Sequence, residues 1–227
     1  MPAPPIPHAS PAVHKSSMNV NDLAKMLGDA CYGFLTLNFF WGLYCVIMAF
    51  RRLWQLSFAS RTKQADFLGE LMSRLQSKQY NAAAEMCQDD PKALPQLAHV
   101  AIVNRNIGYE PLRQLIGELL QQDVLGELEY RTGWIATTIK SGPLLGLFGT
   151  VLGMMAAFGR IGQGEKVQPS QIADEISIAL ICTAMGLATA IPFNFLLASI
   201  NIRIRRLQES LASGLVRVLE HFKNEQS

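Results

Sequence analysis

Three stretches of the chain, residues 30–50, 141–159 and 176–202, contain no Asp, Glu, Lys or Arg. They run for 21, 19 and 27 residues. A hydrocarbon core of ~30 Å takes about 20 residues of helix at ~1.5 Å each. Each stretch is therefore long enough to cross a bilayer. Three such runs in 227 residues leave too little polar chain to bury them as core helices of a soluble protein. The polar block between the first two runs carries helical periodicity. In residues 65–78, Phe67, Leu68, Leu71, Met72 and Leu75 recur at helical spacing. Asp89-Asp90-Pro91 ends the helix that follows. From Pro111, a favoured first helical residue, Leu112, Leu115, Ile116, Leu119 and Leu120 line one face. No strong breaker follows before Gly133, so this helix is expected to run on towards the second span. The third run measures about 40 Å as a helix, longer than the bilayer. Leu207, Leu211, Leu215 and Val218 carry its period on to His221.

The pattern predicts an all-α integral membrane protein with three transmembrane helices, spans two and three extended into a cytoplasmic helical bundle. Its segments are an outer Pro-rich tail (1–18), an interfacial helix (19–29), span one (30–50), a helical block (51–137), span two (138–159), a hairpin (160–172), span three (173–202) and a C-terminal helix (203–227). The tail has five prolines in its first 17 residues and reads as extended chain. It lacks the basic start and apolar core of a signal peptide. In the interfacial helix Leu23, Met26 and Leu27 are expected to face lipid. Trp54, just past span one, suits the inner interface.

Charge sets the orientation. Residues 51–140 hold 11 Lys and Arg, and the segment after Ile202 holds five. The N-terminal segment holds two (Lys15, Lys25) and the hairpin two (Arg160, Lys166). Positive residues near span ends stay in the cytoplasm, which puts the N-terminus outside and the block and C-terminus inside. Composition agrees: 17% of residues are charged, against about 25% in a soluble domain. A net charge of +2 gives no basic surface for nucleic acid. Cys31, Cys45, Cys87 and Cys182 form no paired framework, and His8, His14, His99 and His221 are scattered. No disulfide, metal or cofactor is expected.

Residues 159–166 (GRIGQGEK) imitate a phosphate loop, but Glu165 separates Gly164 from Lys166 and no strand precedes them. They read as a hairpin turn. No hydrolase, metalloprotease or dinucleotide motif is present, so nothing points to an enzyme. The informative features lie in spans two and three. Gly142, Gly146, Gly149 and Gly153 recur at intervals of 4, 3 and 4, and Ala179, Thr183, Gly186 and Ala190 repeat the same intervals. Small-residue stripes let helix backbones approach closely in lipid. The expectation is that a homo-oligomer closes through the glycine stripe. Thr150 and Thr183 put hydroxyls beside these stripes, which points to a polar strip on a helix–helix seam. A threonine in a membrane helix also commonly bonds its own i−4 carbonyl. Pro143 and Pro192 lack a backbone donor and are candidates for helix bends.

Residues 141–158 (SGPLLGLFGTVLGMMAAF) and 181–192 (ICTAMGLATAIP) together resemble the ExbB/TolQ proton-channel family, distant relatives of the flagellar stator subunit MotA. The resemblance runs from about Asn19 to the C-terminus. It implies a bacterial inner-membrane protein with a periplasmic N-terminus and cytoplasmic C-terminus. It implies a pentamer around a pore that holds two single-span ExbD/TolR-like helices with a membrane aspartate. Force would pass to a TonB- or TolA-like protein. On this pattern Thr150 and Thr183 match the family's pore threonines and are expected to face a central cavity, and Pro143 and Pro192 match family prolines. One departure matters. The family commonly has Glu five residues before the second threonine, where this chain has Ile178. Glu175, one turn outward, is either its substitute or a solvated residue at the hairpin edge.

None of the three uncharged runs contains an ionisable Asp, Glu, His, Lys or Arg, although an intramembrane proton path normally carries one. A conducting complex must therefore receive its titrating group from a partner. The rivals are a non-conducting oligomeric scaffold, favoured by Ile178, and a flagellar-type stator, disfavoured by only three spans. With the native cysteines removed, a cysteine at Gln163 should react with a membrane-impermeant thiol reagent added outside intact cells, and one at Gln88 should not; the reverse pattern would refute the orientation.

Overall fold

The computed structural model describes residues 20–58, 60–88, 90–162 and 168–226. The Pro-rich tail (1–18), the hairpin tip at 163–167 and side chains of most of residues 20–29 fall outside that description. The described chain is helical and contains no strand. In order it forms α1 (Val20–Leu56), α2 (Arg61–Gln76), α3 (Tyr80–Gln88), α4 (Ala93–Val103), a 3-10 turn (Arg105–Ile107), α5 (Tyr109–Leu119), a π-helical turn (Leu120–Leu125), α6 (Gly126–Gly162) and α7 (Pro169–Gln226).

Local chemistry sets these boundaries. Ser60 caps α2 by accepting the Thr62 N–H at 3.3 Å. The Asp-Pro segment separates α3 from α4. Gly108 turns the chain into α5 at φ +94°, a value that favours glycine. No break separates α5 from α6, so helix runs from Tyr109 to Gly162, with the π turn taking up one change of register. Pro143 and Pro192 both lie inside uninterrupted helices, α6 and α7.

Three of these helices are long and apolar enough to cross a membrane. α1 runs antiparallel to α6, as paired contacts show. Arg52 meets Glu127, Gly42 lies against Thr138, Asn38 bonds Ser141, and Gly149 lies against Cys31. α7 runs antiparallel to α6 along the two small-residue stripes. A β-carbon on Gly186 would lie 2.5 Å from the Gly142 carbonyl oxygen. One on Gly146 would lie 2.8 Å from the Cys182 oxygen, and one on Gly153 2.5 Å from the Ala179 β-carbon. The stripe expected to join copies is thus taken up inside one chain. This corrects the expectation of oligomer closure through it: its glycines are already covered by α7.

The largest apolar core lies at one end of the three long helices, where α1 ends and α6 begins. There Leu71, Leu75, Leu94, Leu112, Leu128 and Phe222 are buried together with the far end of α7. Two smaller clusters tie the spans, one around Ala49, Ile135, Phe193 and Ile200 and one around Cys31, Leu35, Leu152 and Cys182. This division follows from the solvent, since apolar burial drives packing in water but not between helices in lipid. Large apolar side chains, among them Phe34, Phe40, Leu144, Leu147 and Phe195, stay on the surface of the bundle. All four cysteines are free and buried. Burial pushes the Cys87 thiol up to about 11.

The packing also sets the relative height of the spans. The Asn38–Ser141 and Gly42–Thr138 contacts place Lys140 level with the middle of span one's uncharged run. Each run is free of charge along its own helix, but across the bundle the runs are staggered. Lys140 is exposed and has no ion pair among the described residues.

The close α6–α7 approach yields a direct test. Gly186→Ala should destabilise the chain by about 1–3 kcal/mol, the usual cost of forcing atoms into a packed site, whereas Gly133→Ala, which meets nothing within 4 Å, should be neutral or gain slightly from helix propensity. Unfolding in SDS titrations reads both; equal stability of the two variants would refute the packing described.

Candidate functional site

The close approach of α6 and α7 brings the two candidate threonines together. The hydroxyls of Thr150 and Thr183 lie in direct hydrogen-bonding contact. Thr183 Oγ1 also donates across the seam to the Gly146 carbonyl at 3.0 Å. Thr150 Oγ1 reaches the same carbonyl at 3.1 Å and the Ala179 carbonyl at 3.2 Å. Two hydroxyls carry two protons. With the Thr183 proton on Gly146, the Thr150 proton is shared between Ala179 and Thr183. Both oxygens then keep lone-pair capacity, so the pair can accept as well as donate. Glycine at 146 is what makes this possible, because any side chain there would hold α7 away.

Thr150 has its own i−4 carbonyl, the partner expected of a membrane threonine, within reach in competition with Ala179 and Thr183, whereas Thr183 bonds a carbonyl on the other helix. Thr150 is only 7% exposed and is closed within the chain, while Thr183 is partly exposed. The expectation that both face a cavity needs correction to this extent: only Thr183 of the pair reaches the surface of the subunit. Among the remaining candidates, Gly142, Gly146, Gly149 and Gly153 meet Gly186, Cys182 and Ala179 across the seam. Ala190 is buried further along α7.

Glu175 stands apart from the pair. Its carboxylate bonds Arg160 at 2.7 Å, both side chains being about a quarter exposed. This pair joins the C-terminal end of α6 to the N-terminal end of α7. Glu175 lies eight residues before Thr183 on the same helix, about 12 Å along its axis. Ile178 is exposed, and its carbonyl accepts the Tyr32 hydroxyl at 2.7 Å.

Two polar groupings have no counterpart in the sequence reading. Asn38 in span one donates through Nδ2 to Ser141 Oγ at 2.5 Å, and Ser141 donates on to the Thr138 carbonyl at 3.2 Å. Asn38 Oδ1 is buried without a partner. A lone Asn within an apolar run was the available signal, since such residues bond across membrane helices. Near the C-terminal end of α1, Glu127 accepts Arg52 at 2.7 Å and Arg131 at 2.8 Å, clamping α1 to α6. Burial pushes the Glu127 carboxyl up, but the two arginine hydrogen bonds outweigh it and hold it below the usual range. Among the described residues no three His, Cys, Asp or Glu side chains are grouped to hold a metal.

The profile of the MotA/TolQ/ExbB proton channel family matches residues 96–213, more than half of the chain and all of the α6–α7 seam. The chain belongs to this family. It is similar to the biopolymer transport protein ExbB of Aquifex aeolicus, 39% identical over 85 residues, which is 37% of this chain and 55% of the relative. It is similar to the Tol-Pal system protein TolQ of Haemophilus influenzae, 35% identical over 82 residues, 36% of each. A biopolymer transport protein ExbB of Neisseria gonorrhoeae is 30% identical over 131 residues, 56% of this chain and 52% of the relative. The chain thus spans between about a third and about half the length of these relatives.

The Arg160–Glu175 pair separates the two readings of Glu175. As a structural tie, Glu175→Gln and Arg160→Ala should each cost about 0.2–1 kcal/mol, not add in the double variant, and leave proton flux in partner-containing proteoliposomes near wild type. Loss of flux in Glu175→Gln alone would instead make the carboxylate a working group.

Proposed function

We propose that this chain is the ring-forming, multi-pass subunit of an inner-membrane complex of the ExbB–ExbD or TolQ–TolR type, which couples proton-motive force to work across the cell envelope. The observation that carries the reading is the shared hydroxyl pair of Thr150 and Thr183 on the Gly146 carbonyl, inside the family-matched region. The relatives named ExbB and TolQ support the same class of system.

The chemistry follows from what the spans lack. Their uncharged runs supply hydroxyls and carbonyls but no titrating group. A single-span ExbD/TolR-like partner would bring an aspartate against Thr183, the exposed member of the pair. The Thr183 hydroxyl can donate to that group when it is ionised and accept from it when it is protonated. Thr150, closed behind it, holds Thr183 in position. Neither adds a fixed charge to the membrane, so both states of the acid are accommodated. On this reading the copies form a pentamer, the N-terminus is periplasmic, the C-terminus is cytoplasmic, and a TonB- or TolA-like protein receives the force. Pro143 and Pro192 would serve as bends in α6 and α7. A scaffold without proton flux is the second reading, favoured by Ile178 in place of Glu and by the engagement of Glu175 with Arg160.

Valine matches threonine in shape and lacks the hydroxyl, so Thr→Val removes the hydrogen bond while keeping the packing. An unsatisfied buried carboxyl costs about 1–3 kcal/mol, which slows one protonation half-cycle roughly 5- to 150-fold if it falls entirely in the barrier. Thr183→Val should therefore cut proton uptake into liposomes holding the chain and its partner by that factor, with Thr150→Val milder, while both variants still insert and assemble. Normal flux in both variants would defeat the hydroxyl mechanism, and absence of flux in the unaltered complex would leave the scaffold reading.

A further inference from the structure

A cavity of about 780 Å³ opens where the inner end of α1, the start of α2 and the middle of α7 meet. Its walls divide by chemistry. On the α7 side, Ser199 and Ile202 end the third uncharged run, and Arg203 and Arg206 follow at once. On the α1 side stand Leu53 and Trp54, the indole 67% exposed. Among the described residues three cations line the cavity and no carboxylate does. Lys92 is already paired with Asp90 at 2.6 Å. Arg203 and Arg206 have no ion pair among the described residues, although the Arg203 guanidinium lies 5.0 Å from the Phe50 ring centre.

We infer that this groove holds an anionic phospholipid of the inner leaflet. The inference rests on the orientation that puts Arg203 on the cytoplasmic side. A phospholipid presents a phosphate, a carbonyl belt and an acyl chain in fixed vertical order. The groove presents two guanidiniums, the matching donors for phosphate oxygens, beside an exposed indole of the kind that settles at the headgroup level, and the exposed Ile202, which ends the uncharged run just before them. The height is right, because the site straddles the end of an uncharged run. The volume lies within the range of ligand sites of about 300–1,000 Å³, enough for a headgroup and the first part of one chain. An acidic peptide would satisfy the arginines but leave the apolar wall unmatched.

The experiment uses the full chain purified in detergent, mixed with equimolar phosphatidylglycerol and phosphatidylcholine, with retained lipid counted by native mass spectrometry. Phosphatidylglycerol should be retained about tenfold over phosphatidylcholine, a difference of about 1.4 kcal/mol. The double variant Arg203→Ala, Arg206→Ala should lose that preference, and Arg217→Ala, which removes an exposed charge further along α7, should keep it. Equal retention of the two lipids by the unaltered chain overturns the proposal without reference to any variant. So does displacement of the lipid by glycerol 3-phosphate, which would make the groove a free-phosphate site. Efficient chain-to-chain cross-linking from a cysteine at Ser57 would also overturn it, by showing a second copy in the groove. None of these outcomes depends on proton flux, so they stand apart from the test of the channel reading.

Discussion

The α6–α7 seam depends on how closely two backbones can approach. Where Gly186 faces Gly142, and Gly146 faces Cys182, there is no space for a single methyl group. Water does not drive this contact, because lipid is as apolar as the side chains that could replace it. Small residues are the only means of bringing the two backbones together. The hydroxyl pair follows directly. Thr183 can reach a carbonyl on the opposite helix only because Gly146 presents that carbonyl without a side chain in the way. The same approach leaves Thr150 shut inside the chain and Thr183 at its edge.

Outside the membrane region the chain is held differently. The largest core has many large, fully buried aliphatic side chains drawn from α2, α4, α5 and α7. The spans hold together with small clusters and polar ties: Asn38 to Ser141, Tyr32 to a carbonyl of α7, and Glu127 between two arginines. Two solvents have shaped one continuous bundle, and α6 and α7 pass through both without interruption.

Much of this was legible in the sequence. Helical spacing located Leu68, Leu71 and Leu75 on the buried face of α2, and Leu207, Leu211, Leu215 and Val218 on that of α7. The absence of a breaker after Pro111 announced the run into span two. The 4-3-4 intervals identified the two stripes, because a stripe is a property of one helix. What was not legible concerns relations between helices. Periodicity cannot tell whether a glycine stripe meets the same chain or another copy. It cannot set the height of one span against the next, so the level of Lys140 beside span one appeared only with the packing. The partner of Glu175 was hidden for the same reason: Arg160 lies across the hairpin, and spacing in sequence says nothing about who faces whom after a turn.

α7 is a single helix of 58 residues, about 87 Å long at ~1.5 Å per residue. One part packs in the small-residue seam and the other in the aliphatic core, with no loop between. It therefore acts as a lever with no loop in it, its internal proline, Pro192, lying within continuous helix. A tilt of about five degrees around its centre would carry each tip roughly 4 Å sideways, given that length. The α6 strut has a different mechanical character, because the π turn at Leu120–Leu125 interrupts its regular hydrogen-bond ladder where it leaves α5. Displacement of one end of α7 is carried along a helical backbone ladder interrupted at Pro192, whereas the ladder leading into α6 is interrupted at the π turn.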